Sequence, residues 1–77
     1  MFLEIITPQG ILFSGDVVSA SLPGTAGRFT ILNHHAPIVS VLEAGKVLVE
    51  TETDKQEFEI AGGFVEQHDN NIIICAE

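Results

Sequence analysis

The chain has 77 residues and a formal net charge of -8, from 11 acidic and 3 basic side chains. A protein this acidic is repelled by phosphate backbones and anionic lipid headgroups, so nucleic acid is not expected as a partner. Its 45% hydrophobic and 18% charged residues are typical of a folded globule rather than a disordered chain. Because no apolar stretch approaches the ~20 residues that cross a bilayer, direct membrane insertion is not expected either.

The length predicts a single domain over residues 1–77 with a thin core, since a domain this small buries only about 60% of its unfolded surface. Cys75 is the only cysteine, so no disulfide can form within the chain. It follows three isoleucines and is interpreted as a small buried hydrophobe. A partner would add to the stability of such a domain.

Short segments between turn-forming residues predict strands and leave no room for a helix. In one segment Val18, Ala20 and Leu22 are predicted to share the apolar face of a half-buried strand, opposite Val17. Residues 46–52 and 56–61 also alternate between apolar and polar side chains. Together they predict an antiparallel hairpin closed by a polar turn.

The run Ile72–Cys75 is apolar on both faces, which predicts a central strand or one whose second face meets something else. A single sheet would leave an apolar face in water, so a second sheet is expected to cover the first. We therefore predict an all-β fold, a two-sheet β-sandwich of about eight to ten short antiparallel strands.

No arrangement of residues predicts catalysis. Adjacent residues on an extended chain point to opposite faces, so His34 and His35 are poorly placed to share a metal ion. The segment Leu22–Phe29 lacks the Gly-Lys-Ser/Thr ending of a phosphate-binding loop, and it is interpreted as a long turn between strands. The acidic residues from Glu50 to Glu59 are interpreted as a solvated strand face. The chain is thus predicted not to be an enzyme, to carry no cofactor or metal and to bind no nucleotide.

Five motifs in a fixed order carry a resemblance to a known family: Leu3–Pro8, Phe13–Gly15, Leu22–Phe29, His35–Pro37 and Ile60–Glu66. With them the chain resembles the N-terminal domain of the epsilon subunit of bacterial F-type ATP synthase over essentially its whole length. Thr30 and Asn33 depart from the glycine and proline that the family usually has there. The family commonly continues into two C-terminal helices, and the resemblance is to a short form without them.

The resemblance implies a non-catalytic rotor subunit of the central stalk that binds the gamma subunit and the c-ring and couples ion-driven rotation to ATP synthesis. It also implies a peripheral position on the cytoplasmic face of the bacterial inner or cell membrane. Positions that match the gamma-facing ones of relatives are Thr7, His35, Ala36, Pro37, Ile38 and Ser40. Arg28, expected at the tip of the 22–29 loop, matches a c-ring-facing position where the family often has an acidic residue.

Residues 36–42 carry no charge, and a thin core cannot bury all of their apolar side chains. Some of Ile38, Val39, Val41 and Leu42 are therefore expected to form an exposed apolar patch that meets gamma.

A free-standing ligand-binding β-sandwich, such as a carbohydrate-binding module, is the alternative function. Such modules usually present tryptophan or tyrosine platforms. The chain contains neither residue type, so the rotor subunit is the favoured interpretation.

Overall fold

The computed structural model describes all 77 residues, in which every regular element is a strand. The nine strands are β1 (Phe2–Thr7), β2 (Gly10–Asp16), β3 (Ser19–Gly24), β4 (Gly27–Leu32), β5 (Ile38–Leu42), β6 (Gly45–Glu50), β7 (Lys55–Ile60), β8 (Gly63–His68) and β9 (Asn71–Ala76). The all-β prediction is confirmed. No helix is present that is long and apolar enough to cross a membrane.

The strands are hydrogen-bonded along one path, in the order β2-β1-β9-β8-β5-β3-β6-β7, and β4 joins β3 beside this path. Between β5 and β3 a single residue pair, Gly24 with Leu42, makes the connection. The path bends there into two layers: a first sheet of β2-β1-β9-β8-β5 and a second sheet of β4-β3-β6-β7. The result is a nearly closed sandwich.

One strand pair departs from the prediction of purely antiparallel strands. β1 and β9 run parallel, with Leu3 opposite Ile72 and Ile5 opposite Ile74. Parallel neighbours are not joined by a hairpin, and these two come from opposite ends of the chain. Turn residues report only local connections, so they carried no information about this pair.

The core lies between the sheets and contains 14 buried hydrophobic residues. The β6–β7 hairpin contributes to it as predicted, since Val47 and Val49 are buried while the residues between and beside them are exposed. Its turn is closed by Thr51, whose Oγ1 donates to the Asp54 carboxylate at 2.6 Å and accepts from the Asp54 backbone N–H at 3.1 Å.

The predicted faces of Val17 and Val18 were wrong. Val17 is 3% exposed and Val18 is 43% exposed, because β3 begins only at Ser19 and its alternation does not extend back to this pair. The Val17 N–H donates to the carbonyl of Met1 at 2.8 Å and the Val18 N–H to that of Glu50 at 2.7 Å. These bonds fix the bend between β2 and β3.

The interpretation of Leu22–Phe29 as a long turn was also wrong. β3 and β4 form a tight hairpin in which Pro23 lies opposite Arg28 and Gly24 opposite Gly27. Only Thr25 and Ala26 form the turn. A Cβ at Gly24 would lie 2.8 Å from the Gly27 carbonyl oxygen, so this close approach of the two backbones requires glycine.

Cys75 is half-buried rather than buried. In β9 the buried positions are Ile72, Ile74 and Ala76, so Ile73 and Cys75 lie on the outer face. β9 is central, between β1 and β8, and its outer face is apolar as well.

Candidate partner-binding surface

The outer face of the first sheet carries a row of apolar side chains across all five strands. Strand register places Val41 opposite Phe64, Phe64 opposite Cys75, Cys75 beside Ile6, and Ile6 opposite Ile11. Residues opposite each other on neighbouring strands share a face. Val41, Phe64 and Ile11 are 61%, 49% and 60% exposed. We call these five residues the apolar row.

A second row lies two residues away from the apolar row on each strand and mixes apolar and acidic side chains. Val39 lies opposite Glu66, Glu66 opposite Ile73, and Ile73 beside Glu4. Val39 is 73% exposed and extends the apolar surface towards the margin of the sheet. The two glutamates give one side of the apolar row an acidic rim.

The outer face of the second sheet has a different character. Exposed charged residues dominate β6 and β7, and Lys46 Nζ lies 3.4 Å from Glu57 Oε1 in an exposed ion pair. Leu48 and, on β4, Leu32 are exposed apolar residues of this face, and the serines of β3 lie between them. A contiguous exposed apolar surface marks a site of interaction, so the first sheet is the candidate binding face.

The predicted segment His35–Pro37 forms the connection between β4 and β5, and all three of its residues are exposed. The His35 N–H donates to the Leu32 carbonyl at 3.1 Å, and the ring Nδ1 lies 2.7 Å from the Ala36 carbonyl oxygen. These contacts shape the loop between the end of β4 and the start of β5. His35, Ala36 and Pro37 therefore lie together at one margin of the first sheet.

β5 divides the predicted apolar patch between two faces. Ile38 lies opposite the buried Gln67, and Ser40 opposite the buried Val65. Both predicted residues are accordingly on the inner side of β5, and both are half-buried. The exposed patch expected in this segment is present at Val39 and Val41, whereas Leu42 is buried.

Thr7 lies away from the other predicted residues. It is the last residue of β1, where its Oγ1 donates to the Gly10 carbonyl at 3.0 Å and accepts from the Gln9 N–H at 3.2 Å. Strand register puts Thr7 level with the end of β5, whereas His35 precedes its start. β1 and β5 are three strand spacings apart, about 14 Å. The structure does not bring Thr7 and His35 together.

Arg28 was predicted at the tip of a loop but is the second residue of β4. Its Nη1 donates to Ser21 Oγ at 2.9 Å and its Nη2 to the Lys46 carbonyl at 2.6 Å. The guanidinium thus ties the β3–β4 hairpin to β6 and remains exposed. Thr25 and Ala26 occupy the tip.

The apolar row itself was not predicted as a surface. Its members come from five strands whose order follows from the parallel β1–β9 pair, which the sequence analysis did not predict. One signal pointed to it: the Ile72–Cys75 run is apolar on both faces, as expected of a strand that packs on two sides.

The fold and this surface define a β-sandwich domain with one exposed apolar face. The family model for the beta-sandwich domain of the ATP synthase delta/epsilon chain matches residues 1–77. The chain therefore belongs to the ATP synthase delta/epsilon family, as the resemblance implied.

Curated relatives agree with this assignment. The chain is 44% identical over 77 residues to the ATP synthase epsilon chain of Chlorobium limicola, covering 97% of this chain and 86% of that one. It is 41% identical over 76 residues to the epsilon chain of Chlorobaculum tepidum, with the same coverage. The epsilon chain of Campylobacter curvus is 37% identical over 78 residues, and the match spans 60% of its length.

Solved structures share the fold. A chain in the central stalk and c-ring structure of Tetrahymena thermophila mitochondrial ATP synthase superposes with a TM-score of 0.85 at 20% identity, over 99% of this chain and 62% of that one. A chain in the Euglena gracilis mitochondrial ATP synthase structure gives a TM-score of 0.88 at 23% identity, over 96% and 48%.

Proposed function

We propose that the chain is a rotor subunit of the central stalk of F-type ATP synthase, which binds the gamma subunit and the c-ring and couples ion-driven rotation to ATP synthesis. The observation that carries this proposal is the apolar row on the outer face of the first sheet. Burial of apolar surface is the main driving force of protein association. An exposed row of this kind beside a polar second sheet favours a permanent partner on one side only.

The gamma subunit is the proposed partner of this face. Phe64 and Val41 lie side by side in the row, and Val39 lies on the same side of β5. Aromatic residues such as phenylalanine are enriched in the cores of interfaces, where a few well-packed side chains carry most of the binding energy. His35, Ala36 and Pro37, which precede β5, would form part of the rim of this interface. Ile38 and Ser40 are half-buried on the inner side of β5 and would reach gamma only at the open margin of the strand. Thr7 would contact gamma only from the opposite end of the sheet.

The c-ring is the proposed partner of the β3–β4 hairpin. An arginine side chain has five N–H donors, and two of those in Arg28 bind Ser21 and Lys46. The remaining donors are free to meet polar groups of the ring, next to the exposed turn residues Thr25 and Ala26. Fixed by its two internal bonds, the guanidinium would offer these donors in one orientation.

A sandwich of short, mutually hydrogen-bonded strands suits the transmission of torque. Ion-driven rotation of the c-ring reaches the catalytic head only if shaft and ring are held in register. We infer a peripheral position on the cytoplasmic face of the bacterial membrane, reached through protein partners. The net charge of -8 disfavours direct contact with anionic lipid.

A free-standing ligand-binding module remains the second candidate. The largest cavity has a volume of about 580 Å³ and includes Met1, Asp16 and Glu52 in its lining. No aromatic side chain lines it, so it offers no platform on which a sugar ring could stack.

Binding of the purified gamma subunit tests the proposal. Phe64→Glu puts a charge into the apolar row, and we expect affinity for gamma to fall at least about tenfold. Leu48→Glu makes the same chemical change on the outer face of the second sheet and should leave affinity unchanged. Equal affinity of both variants and the unaltered chain, measured by calorimetry, would contradict the assigned face. Retention on immobilised polysaccharide without gamma binding would favour the second candidate.

A further inference from the structure

β5 is an edge strand over most of its length. It pairs with β8 through all five of its residues, but on its other side it meets β3 at one residue pair only. Two backbone bonds make that contact, from the Thr25 N–H to the Val41 carbonyl at 3.2 Å and from the Glu43 N–H to the Pro23 carbonyl at 2.8 Å. From Val41 back towards the start of β5, no further residue pair joins the two strands.

The backbone of Val39 faces this open side. In an antiparallel ladder the N–H and C=O of one residue point to the same side of the strand, and the side alternates along the chain. The Val41 carbonyl points towards β3, so the N–H and C=O of Val39, two residues earlier, also point away from β8. No other strand pairs with β5 there. Val39 thus presents a donor and an acceptor that an added strand could use.

The edges at β7 and β2 carry features that discourage such pairing, and the remaining edge strand, β4, contains the charged residue Arg28. β7 has the charged residues Lys55, Glu57 and Glu59, and β2 carries an extra residue at the register shift opposite Ile5 and Ile6. Charges and bulges both protect edge strands. β5 reads Ile-Val-Ser-Val-Leu, with no charge. An open, uncharged edge rich in β-branched residues is a template for strand addition.

We propose that β5 accepts an extended segment of its partner protein as an additional strand, hydrogen-bonded to Val39. The proposal rests on the proposed function, since gamma is the partner that would supply the segment. At Val41 the edge is closed by the bond from Thr25, so the open part is at Val39. Val39 belongs to the second row of the outer face, so the added strand would continue that row by one step, next to the apolar row. The main chain of the added segment would form hydrogen bonds with β5. Every second side chain of the segment, if apolar, would pack against the outer face.

Charge defines the chemistry of this segment. Glu43 follows the end of β5, and Glu66 lies on β8, two strand spacings from an added strand and about 10 Å away. A segment with apolar residues at alternate positions and lysine or arginine at its ends would match this edge. Two copies of the chain, each with a net charge of -8, repel each other. The occupant is therefore a segment of another protein rather than a second copy.

Amide hydrogen exchange on the full chain, free and bound to purified gamma, tests the proposal without a mutation. We expect exchange at the Val39 amide to slow at least about tenfold in the complex, while the amides of β7 keep their free rates. If the complex forms but the exchange rate of the Val39 amide is unchanged, the proposal of strand addition is overturned. Failure of gamma to bind at all would instead overturn the proposed function.

A pair of variants provides a second measurement. Val39→Pro removes the N–H that faces the open side and leaves the β5–β8 hydrogen bonds in place. Val39→Thr keeps that N–H and the β-branched shape. We expect gamma affinity to fall about tenfold for Val39→Pro and by less than about threefold for Val39→Thr. Equal losses would overturn the inference, as would a dimer of the chain alone that Val39→Pro dissociates.

Discussion

Phe13 on β2 and Phe58 on β7 pack against each other with ring centroids 5.6 Å apart and ring planes inclined at 56°. These strands are the two ends of the hydrogen-bonded path. No backbone ladder joins them, so side-chain packing must close the sandwich on this side. Both rings also pack against the buried core.

This contact predicts a measurable contribution to stability. Phe58→Ala should lower the free energy of unfolding by about 2–3 kcal/mol, less than for a fully buried ring, and lower the melting temperature by about 10 °C or more. A double-mutant cycle with Phe13→Leu and Phe58→Leu should reveal a coupling of about 0.5–1.5 kcal/mol. Additive effects in thermal or urea unfolding would mean that the rings do not act as a pair.

Arg28 should also contribute to stability, because its two hydrogen bonds join the β3–β4 hairpin to β6. Arg28→Glu loses both bonds, and we expect about 1–2 kcal/mol of destabilisation in urea unfolding. Arg28→Lys retains the charge but not the planar fork that reaches Ser21 and Lys46 together, so it should recover only part of the loss. An unchanged unfolding midpoint for Arg28→Glu would show that these bonds are replaced by water at no cost.

Two glycines with similar backbone angles predict different responses to alanine. Gly10 has φ +133° and an added Cβ there meets no atom within 4 Å. Gly63 has φ +143°, and its Cβ would overlap the carbonyl oxygen of Cys75. Gly10→Ala should cost about 1–2 kcal/mol of backbone strain, whereas Gly63→Ala should cost more than about 3 kcal/mol or prevent folding. Similar melting temperatures for the two variants would refute the role assigned to close packing.

Gln67 is the one polar residue in the buried set, 2% exposed, and its Oε1 has no hydrogen-bond partner. An unpaired buried carbonyl is costly. Gln67→Met, of similar volume, should therefore stabilise the isolated chain by about 1 kcal/mol. Gln67→Glu should destabilise it by more than that at neutral pH, since it buries a charge. A loss of stability in Gln67→Met would imply that the amide makes a bond through its nitrogen or through water.

Local patterns predicted the parts of the fold that depend on neighbouring residues. The alternation of β6 and β7 located their hairpin, because adjacent strands with a short polar turn have few alternatives. The Val17–Val18 pair was assigned to the wrong faces since its hydrogen bonds go to Met1 and Glu50, far away in sequence. Arg28 was misplaced because the turn between β3 and β4 has only two residues, which puts Arg28 in β4 opposite Pro23. Its contact with Lys46, 18 residues away, could not be read from local patterns.

The candidate site was less predictable than the fold. The segment from His35 to Ser40 was predicted as an interface by resemblance. A separate prediction placed an exposed apolar patch among residues 38–42, and in the structure Val39 and Val41 are its exposed members. The full apolar row depends on the order of five strands. That order follows from the pairing of β1 with β9, which no turn or alternation between them could indicate.

The single thiol of the chain offers a direct probe of the apolar row. Cys75 is half-buried in the middle of the row, between Phe64 and Ile6 in strand register, and no other cysteine competes with it. A maleimide should alkylate it slowly but measurably in the free chain. If gamma covers the row, only the unbound chain can react. When at least nine-tenths of the chain is bound to gamma, alkylation should therefore slow about tenfold.

A matched control makes this measurement specific for the face. A variant with Cys75→Ser and Leu48→Cys carries its only thiol on the outer face of the second sheet, and its alkylation should be unaffected by gamma. The rate of mass gain, followed by mass spectrometry with and without gamma, compares the two thiols under the same conditions. Protection of the thiol at position 48 with free reaction at Cys75 would place gamma on the second sheet and reverse the assignment of the binding face.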